Sequence, residues 1–137
     1  MNELMITCPL YVDVKRGRGK PKRCYLSLNC YRNWHHRLSN DAKHEVKRLV
    51  WDQLDALDAT TALTTPIEVR ITLYAPDKRE RDLGNFCAMA QKFVDDAAVE
   101  YGLLTDDSVK YIKRVVYEWG GVDREDPRFE IKYEQMI

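Results

Sequence analysis

The chain has 137 residues, of which 45% are hydrophobic and 32% charged, and its 22 basic residues balance 22 acidic ones. This length and apolar content suit one hydrophobic core, so we expect a single domain over residues 1–137. No apolar run is long enough to span a membrane and no signal-peptide pattern is present, so we expect a cytoplasmic protein with no membrane partner. The four cysteines form neither a CxxC pair nor a zinc-binding spacing, which argues against disulfides and structural zinc.

Charge is distributed unevenly along the chain. Residues 1–51 carry 11 Lys and Arg against 4 Asp and Glu, a net charge of +7, whereas the remaining residues carry 11 against 18, a net charge of −7. Like charges repel unless an anion lies between them, so the basic segment KRGRGKPKR at 15–23 is a candidate phosphate contact. A disordered, solubilising loop is the alternative. The basic residues of this segment are Lys15, Arg16, Arg18, Lys20, Lys22 and Arg23.

The first half of the chain predicts strands followed by a long helix. Leu4–Val14 reads as a strand that is interrupted near Pro9, because proline cannot donate a backbone hydrogen bond to a sheet. After the basic segment, which we expect to be a mobile loop or hairpin tip, Arg23–Leu28 predicts a short strand. Apolar residues then recur at intervals of three and four over Cys30–Leu57, which predicts an amphipathic helix. The capping residues from Ser39 onwards are compatible with a break there.

The second half predicts three further strands and a second helix. A strand at Ile67–Tyr74 is followed by a helix at about Asn85–Tyr101, which Gly102 ends. Strands at Val109–Trp119 and Phe129–Tyr133 follow. The predicted order is ββαβαββ. We therefore expect an α/β (α+β) fold with a mixed β-sheet and both helices packed on one face.

Carboxylates flank the second predicted helix. Asp82 lies between a strand and that helix, and Asp106 and Asp107 lie in the turn before the next strand. Mg²⁺ prefers oxygen ligands, usually one or two protein carboxylates together with water and phosphate. If the strands at Leu73 and Val109 are neighbours, we expect the two loops at the same sheet end, where Asp82 approaches Asp106 and Asp107. Ordinary aspartates of surface turns are the alternative.

A polar edge runs along the same helix. At about 100° per residue, Asn85, Lys92 and Asp96 project close together beside the apolar stripe. Lys92 and Asp96 are spaced for an exposed ion pair, which would be a purely structural role. Alternatively, Lys92 lies by a metal site and stabilises negative charge on phosphate.

Two strings of residues, one at each end of this helix, resemble a known family. The string PDKRERDLGN at 76–85 resembles the PD-[KR]-R-x-R-D-L-D-N signature of RusA-type Holliday-junction resolvases. The string GLLTDDSV at 102–109 resembles their downstream G-x-x-x-D-D block. Lys92 lies at the family's distance from the second string, and Asp96 matches the family's aspartate one turn later. The resemblance covers about residues 67–111.

The resemblance implies a homodimeric endonuclease that depends on Mg²⁺, or on Mn²⁺ in its place, and nicks opposed strands of branched DNA. In that family the reaction serves recombination and repair, typically in a phage or prophage. It implies that Asp82, Lys92 and Asp107 are catalytic, and that Asp82 and Asp107, with the adjoining Asp106, hold the metal. Such an ion lowers the pKa of a bound water and stabilises the attacking and leaving oxygens. The basic segment would grip the DNA backbone together with Arg79 and Arg81.

The chain departs from the family pattern at two points. Gly84 stands where the family usually has a second catalytic aspartate. The distance from Asp82 to Lys92 is about four residues longer than in the family, roughly one extra helical turn. Neither register restores the missing carboxylate, so Asn85, Asp96, Asp106 or a water would take its place. The alternative function is a non-catalytic protein of the same fold that binds junction or duplex DNA.

Overall fold

The helices and strands of the computed structural model follow closely from the apolar pattern of the sequence. The structure describes residues 3–59, 62–63 and 66–136. Their elements are, in chain order, β1 (Glu3–Cys8), β2 (Tyr11–Val14), β3 (Lys22–Tyr25), α1 (Leu28–Tyr31), α2 (His36–Ala56), β4 (Ile67–Ala75), α3 (Leu83–Tyr101), β5 (Ile112–Val122) and β6 (Arg128–Gln135).

Four of the strands form one mixed sheet in the order β1-β6-β4-β5. β6 pairs antiparallel with both β1 and β4, whereas β4 and β5 run parallel. A parallel pair requires a crossover connection, and α3 provides it. β2 and β3 form a separate antiparallel hairpin. The fold is thus a small α+β domain with a mixed sheet, as the sequence predicted.

The core lies between one face of this sheet and the two long helices. Register places alternate residues of β1, β6 and β4 on a common buried face, for example Leu4, Tyr133 and Val69. α2 contacts β1, and α3 contacts β4, β5 and β6. α2 buries residues spaced four apart from Leu38 to Leu54, which is the expected spacing of a helix with one apolar face. The opposite sheet face carries mainly charged and polar side chains.

Three predicted elements differ in their bounds. The interruption near Pro9 separates β1 from β2, which belong to different sheets. The predicted helix over Cys30–Leu57 is two helices, and the break falls at residues 32–35 rather than at Ser39. His35 caps α2, since its Nδ1 accepts a hydrogen bond from the Arg37 amide at 3.3 Å. β5 begins at Ile112 because residues 107–111 form a turn.

The observed chain order is βββααβαββ, which reduces to the predicted ββαβαββ when each interrupted element is counted once. The prediction that Gly102 ends the second helix is confirmed, because Gly102 adopts a left-handed conformation with φ of 97°. No helix in the described ranges is long and apolar enough to cross a membrane.

Candidate active-site carboxylates

Asp82 occupies the N-cap of α3. Its Oδ1 accepts hydrogen bonds from the Gly84 amide at 2.9 Å and from the Asn85 amide at 3.4 Å. Aspartate is favoured at this position because it satisfies amides that have no partner within the helix and lies at the positive end of the helix dipole. The side chain is nevertheless exposed. Its second oxygen can therefore still accept a ligand.

An open cleft with a volume of about 460 Å³ lies beside Asp82. Asn29 and Arg32 border it from the side of α1, and Tyr117 borders it from β5. The Asn85 side-chain oxygen accepts a hydrogen bond from the Asn29 amide at 3.0 Å, which joins α1 to the start of α3. We call this space the Asp82 cleft. It combines a carboxylate, a guanidinium and two carboxamides, which are groups that bind cations and phosphates.

Asp106 and Asp107 lie in the turn between α3 and β5. Both are exposed, and the Asp106 carboxylate accepts a hydrogen bond from the Asp107 amide at 2.9 Å. With Asp96 and Glu100 they line a second cleft of about 240 Å³. Lys43 of α2 borders this Asp107 cleft and pairs with Asp96 at 2.9 Å.

The Asp107 cleft is electrostatically unfavourable for its own carboxylates. Partial burial raises the pKa of Asp107, and repulsion from Asp96 and Asp106 raises it further. Lys43 pairs with Asp96 and Lys47 pairs with Glu100 at 3.1 Å, but neither lysine pairs with Asp106 or Asp107 in the described structure. A bound cation would lower the pKa of Asp107 again and relieve the repulsion.

The two groups of carboxylates do not meet within one chain. β4 and β5 run parallel, so the loop that follows β4 and the turn that precedes β5 lie at opposite ends of the sheet. Asp82 and Asp107 are separated by the 19 residues of α3, a length of roughly 28 Å. The prediction that Asp82 approaches Asp106 and Asp107 is therefore wrong for a single chain, because it assumed that the two loops share a sheet end.

The described carboxylates of one chain do not gather into one group of three or more metal-ligating side chains. Over residues 3–59, 62–63 and 66–136, no three His, Cys, Asp or Glu side chains are grouped closely enough to hold a metal ion. The roles of Asp82, Asp106 and Asp107 as metal ligands, and those of Asp82, Lys92 and Asp107 in catalysis, stay predictions.

Lys92 lies near the middle of α3, between the two clefts. Its side chain is exposed, and the described structure contains no ion pair between Lys92 and Asp96. The spacing allowed that pair, but Lys43 of the neighbouring helix takes the carboxylate instead. The ion pair with Asp96, which was the structural alternative for Lys92, is thus not formed in the described structure.

The basic segment forms the tip and edges of the β2–β3 hairpin, as predicted. Arg23 donates to Asp13 at 3.2 Å, and its guanidinium lies 4.0 Å from the centre of the Tyr11 ring. Arg16 lies 3.7 Å from Asp41. The other four basic residues are exposed, and within the described structure they form no ion pair. They are Lys15, Arg18, Lys20 and Lys22.

Arg79 and Arg81 differ in their availability to DNA. The Arg81 side chain is only 10% exposed, lies 2.8 Å from Asp77, and donates to the carbonyl oxygens of Asp77 and Arg79. The Arg81 guanidinium is the main cause of the lowered pKa of Asp77. Arg79, by contrast, is 78% exposed. Of these two predicted DNA contacts, Arg79 offers an exposed guanidinium that makes only a long 3.8 Å ion pair with Asp77 in the described structure, whereas Arg81 holds the loop together.

A buried polar network that no sequence pattern indicated lies beneath the sheet. Asp95 accepts hydrogen bonds from the Tyr133 hydroxyl at 2.6 Å and from the Gln91 carboxamide at 3.0 Å. The Tyr117 hydroxyl donates to Gln91 at 2.6 Å, and Tyr117 in turn borders the Asp82 cleft. Burial raises the pKa of Asp95 to about 6. Asn29, Arg32 and Tyr117 were also missed as cleft residues, because tertiary packing alone brings them to Asp82.

A comparison with models of protein families found no match for this chain, and a comparison with curated proteins found none either.

Proposed function

We propose that this chain is the subunit of a metal-dependent endonuclease that nicks branched DNA. The observation that carries the proposal is the position of Asp82, which lies exposed in an open cleft bordered by Arg32 and Asn29. Asn29 also borders the surface that carries Lys22 and Arg23. A carboxylate that could hold a metal is thus next to a basic surface that could hold the phosphate backbone.

A second copy of the chain is part of this proposal. Asp82 and Asp107 of one chain cannot hold the same divalent ion, because they lie at opposite ends of α3. Two-fold symmetry can bring the Asp82 end of one subunit to the Asp107 end of the other, and it does so twice. The dimer would then present two equivalent sites, which matches the two strands that must be nicked at a junction.

The basic hairpin is the proposed contact with the DNA backbone. Four of its six basic side chains are exposed and unpaired within the described structure, so binding phosphate breaks no ion pair of the protein. Arg79 is exposed on the loop that leads to Asp82 and would extend the same surface. Contacts of this kind supply affinity without sequence preference.

A second candidate function is binding of branched or duplex DNA without cleavage. Gly84 favours it, since the string that resembles the resolvase signature lacks its second aspartate at that position. The repulsion among exposed carboxylates of the Asp107 cleft argues for catalysis, because binding of DNA alone has no use for clustered negative charge.

The test is cleavage of a labelled four-way junction with and without Mg²⁺ or Mn²⁺. We expect metal-dependent paired nicks from the wild type and none from Asp82→Asn or Asp107→Asn, with junction binding retained or tightened. Asparagine also caps helices, so the Asp82→Asn variant should have the melting temperature of the wild type. Asp52→Asn is the matched control, because the Asp52 side chain is 70% exposed on α2. Unchanged cleavage by both site variants would overturn the assignment, and binding without nicking by the wild type would favour the second candidate.

A further inference from the structure

β5 is an edge strand whose outer side is open. The sheet order ends at β5, and β4 is its one neighbour among the strands of the described structure. β5 is 11 residues long and contains no proline. A long, open edge strand exposes a row of unpaired backbone groups, and natural proteins normally cover it, shorten it or pair it.

The same strand exposes apolar side chains on its helix side. Register places Val115 beside Val69 and Trp119 beside Leu73, on the face that the helices cover elsewhere. Val115 is 42% exposed and Trp119 is 46% exposed, so α3 leaves this edge of the face open. An open strand edge that is flanked by uncovered apolar side chains is typical of a surface that pairs with another strand.

We propose that two copies of this chain associate by antiparallel pairing of β5 with the partner's β5, about a two-fold axis at Val116. In this register Arg114 lies opposite the partner's Glu118, and Val115 lies opposite the partner's Tyr117. Lys113 lies opposite the partner's Trp119, where a cation can rest on the ring. Within one chain Glu118 pairs with Arg70 and Arg114 lies 3.9 Å from Glu68, so the pair across the axis would extend this charge network. The apolar side chains of the strand likewise complement themselves.

Neighbouring registers lack this complementarity. An axis at Arg114 or at Glu118 places like charges directly opposite each other. An axis at Tyr117 sets Arg114 against the partner's Gly120 and Glu118 against the partner's Val116, so neither charge gains a counterion from the partner in addition to the one within its own chain. The charges of β5 thus favour a second copy as the partner strand, paired in the register with its axis at Val116.

This pairing also brings the two halves of the proposed site together. Because the strands are antiparallel, the start of the partner's β5 at Ile112 lies opposite Gly120, near the end of β5. The partner's Asp107 precedes that start, so it reaches the sheet end at which Asp82 lies. An axis perpendicular to the sheet keeps both helix layers on one side. The completion of the site rests on the proposed function, whereas the interface rests on the strand alone.

The first test is a cross-link at the two-fold axis. Directly opposed residues of antiparallel strands have Cα atoms about 4.5 to 5.5 Å apart, within the range of a disulfide. Mild oxidation of Val116→Cys should therefore give a covalent dimer. Met5→Cys is the control, since Met5 is 50% exposed on β1 at the opposite edge of the sheet. The wild type controls for the native cysteines, three of which are buried.

The second test weakens the interface. Val115→Glu should weaken dimerisation by about tenfold or more in sedimentation, because it buries a charge against the partner's Tyr117. Val109→Glu is the matched control, since Val109 is 83% exposed and lies outside the strand. A monomeric wild type, or no more cross-linking from Val116→Cys than from Met5→Cys, would overturn the proposal. If Val115→Glu does not fold, the cross-linking experiment alone tests the interface. Neither test uses DNA or metal, so a dimer of this kind that fails to nick DNA would refute the proposed function alone.

Discussion

Replacing Asp95 with asparagine should make the protein more stable at neutral pH. The Asp95 side chain is buried in the network with Tyr133 and Gln91, and it is 3% exposed. Burial raises the pKa of Asp95 from 3.8 to about 6, against the opposing effect of the two hydrogen bonds, and the negative charges of Asp107 and Asp96 add to the rise. The carboxamide can keep both contacts if Gln91 rotates, since the Tyr117 hydroxyl can accept as well as donate.

The size and sign of the effect follow from the two pKa values. Between about pH 4 and pH 6 the folded state keeps a proton on Asp95 that the unfolded state has released. The free energy of unfolding therefore falls as the pH rises through this window, by roughly 3 kcal/mol at most. Asp95→Asn removes this loss, so the variant should match the wild type near pH 4 and exceed it by up to about 3 kcal/mol above pH 7.

Urea unfolding followed by tryptophan fluorescence at pH 4.5 and pH 7.5 measures the free energy of unfolding of the wild type and of Asp95→Asn at each pH. Asp52→Asn is the control, because its carboxylate is 70% exposed and should leave the pH dependence of the wild type unchanged. If Asp95→Asn and the wild type lose stability in parallel between these two pH values, the carboxyl of Asp95 does not titrate as its burial requires, and the reasoning is refuted.

Two further predictions concern DNA binding and the missing carboxylate. Neutralising Lys20, Lys22 and Arg23 together should lower the slope of log Kd against log salt concentration for junction DNA by roughly two to three, since each phosphate contact releases counterions. An unchanged slope would show that the hairpin does not contact DNA. Gly84→Asp should raise the cleavage rate, because Gly84 does not have a positive φ and an added Cβ would meet only the Asp82 side chain, at 3.4 Å. A folded Gly84→Asp variant with unchanged cleavage would mean that the second aspartate does not limit the wild type.

Local pattern was sufficient to predict most of the elements. The spacing of apolar residues from Leu38 to Leu54 marks α2, and the alternation that begins at Ile67 marks β4, because a helix and a strand each bury one face at their own period. Gly102 could be read as a helix end because few other residues adopt a left-handed conformation. These features depend on neighbours in the sequence.

Features that depend on distant partners were not predictable in the same way. The prediction took β4 and β5 as neighbours, which they are, but it placed the two loops at one sheet end, and this error misplaced Asp107 relative to Asp82. A strand, a helix and a second strand paired with the first form a parallel unit, so the two loops lie at opposite sheet ends once the strands pair. Asp95 also gave no signal, since only the fold brings Tyr133 to its carboxylate.

Mixing two inactive variants tests the shared site most directly. If each site combines Asp82 of one subunit with the partner's Asp107, Asp82→Asn and Asp107→Asn are inactive alone, but their mixed dimer contains one intact site. Equal mixing should restore about one quarter of the wild-type sites, seen as single nicks in place of paired ones. If both carboxylates served one chain, every site in the mixture would carry a substitution. A refolded, exchanged mixture that nicks no junction, while the wild type nicks in pairs, would contradict the account.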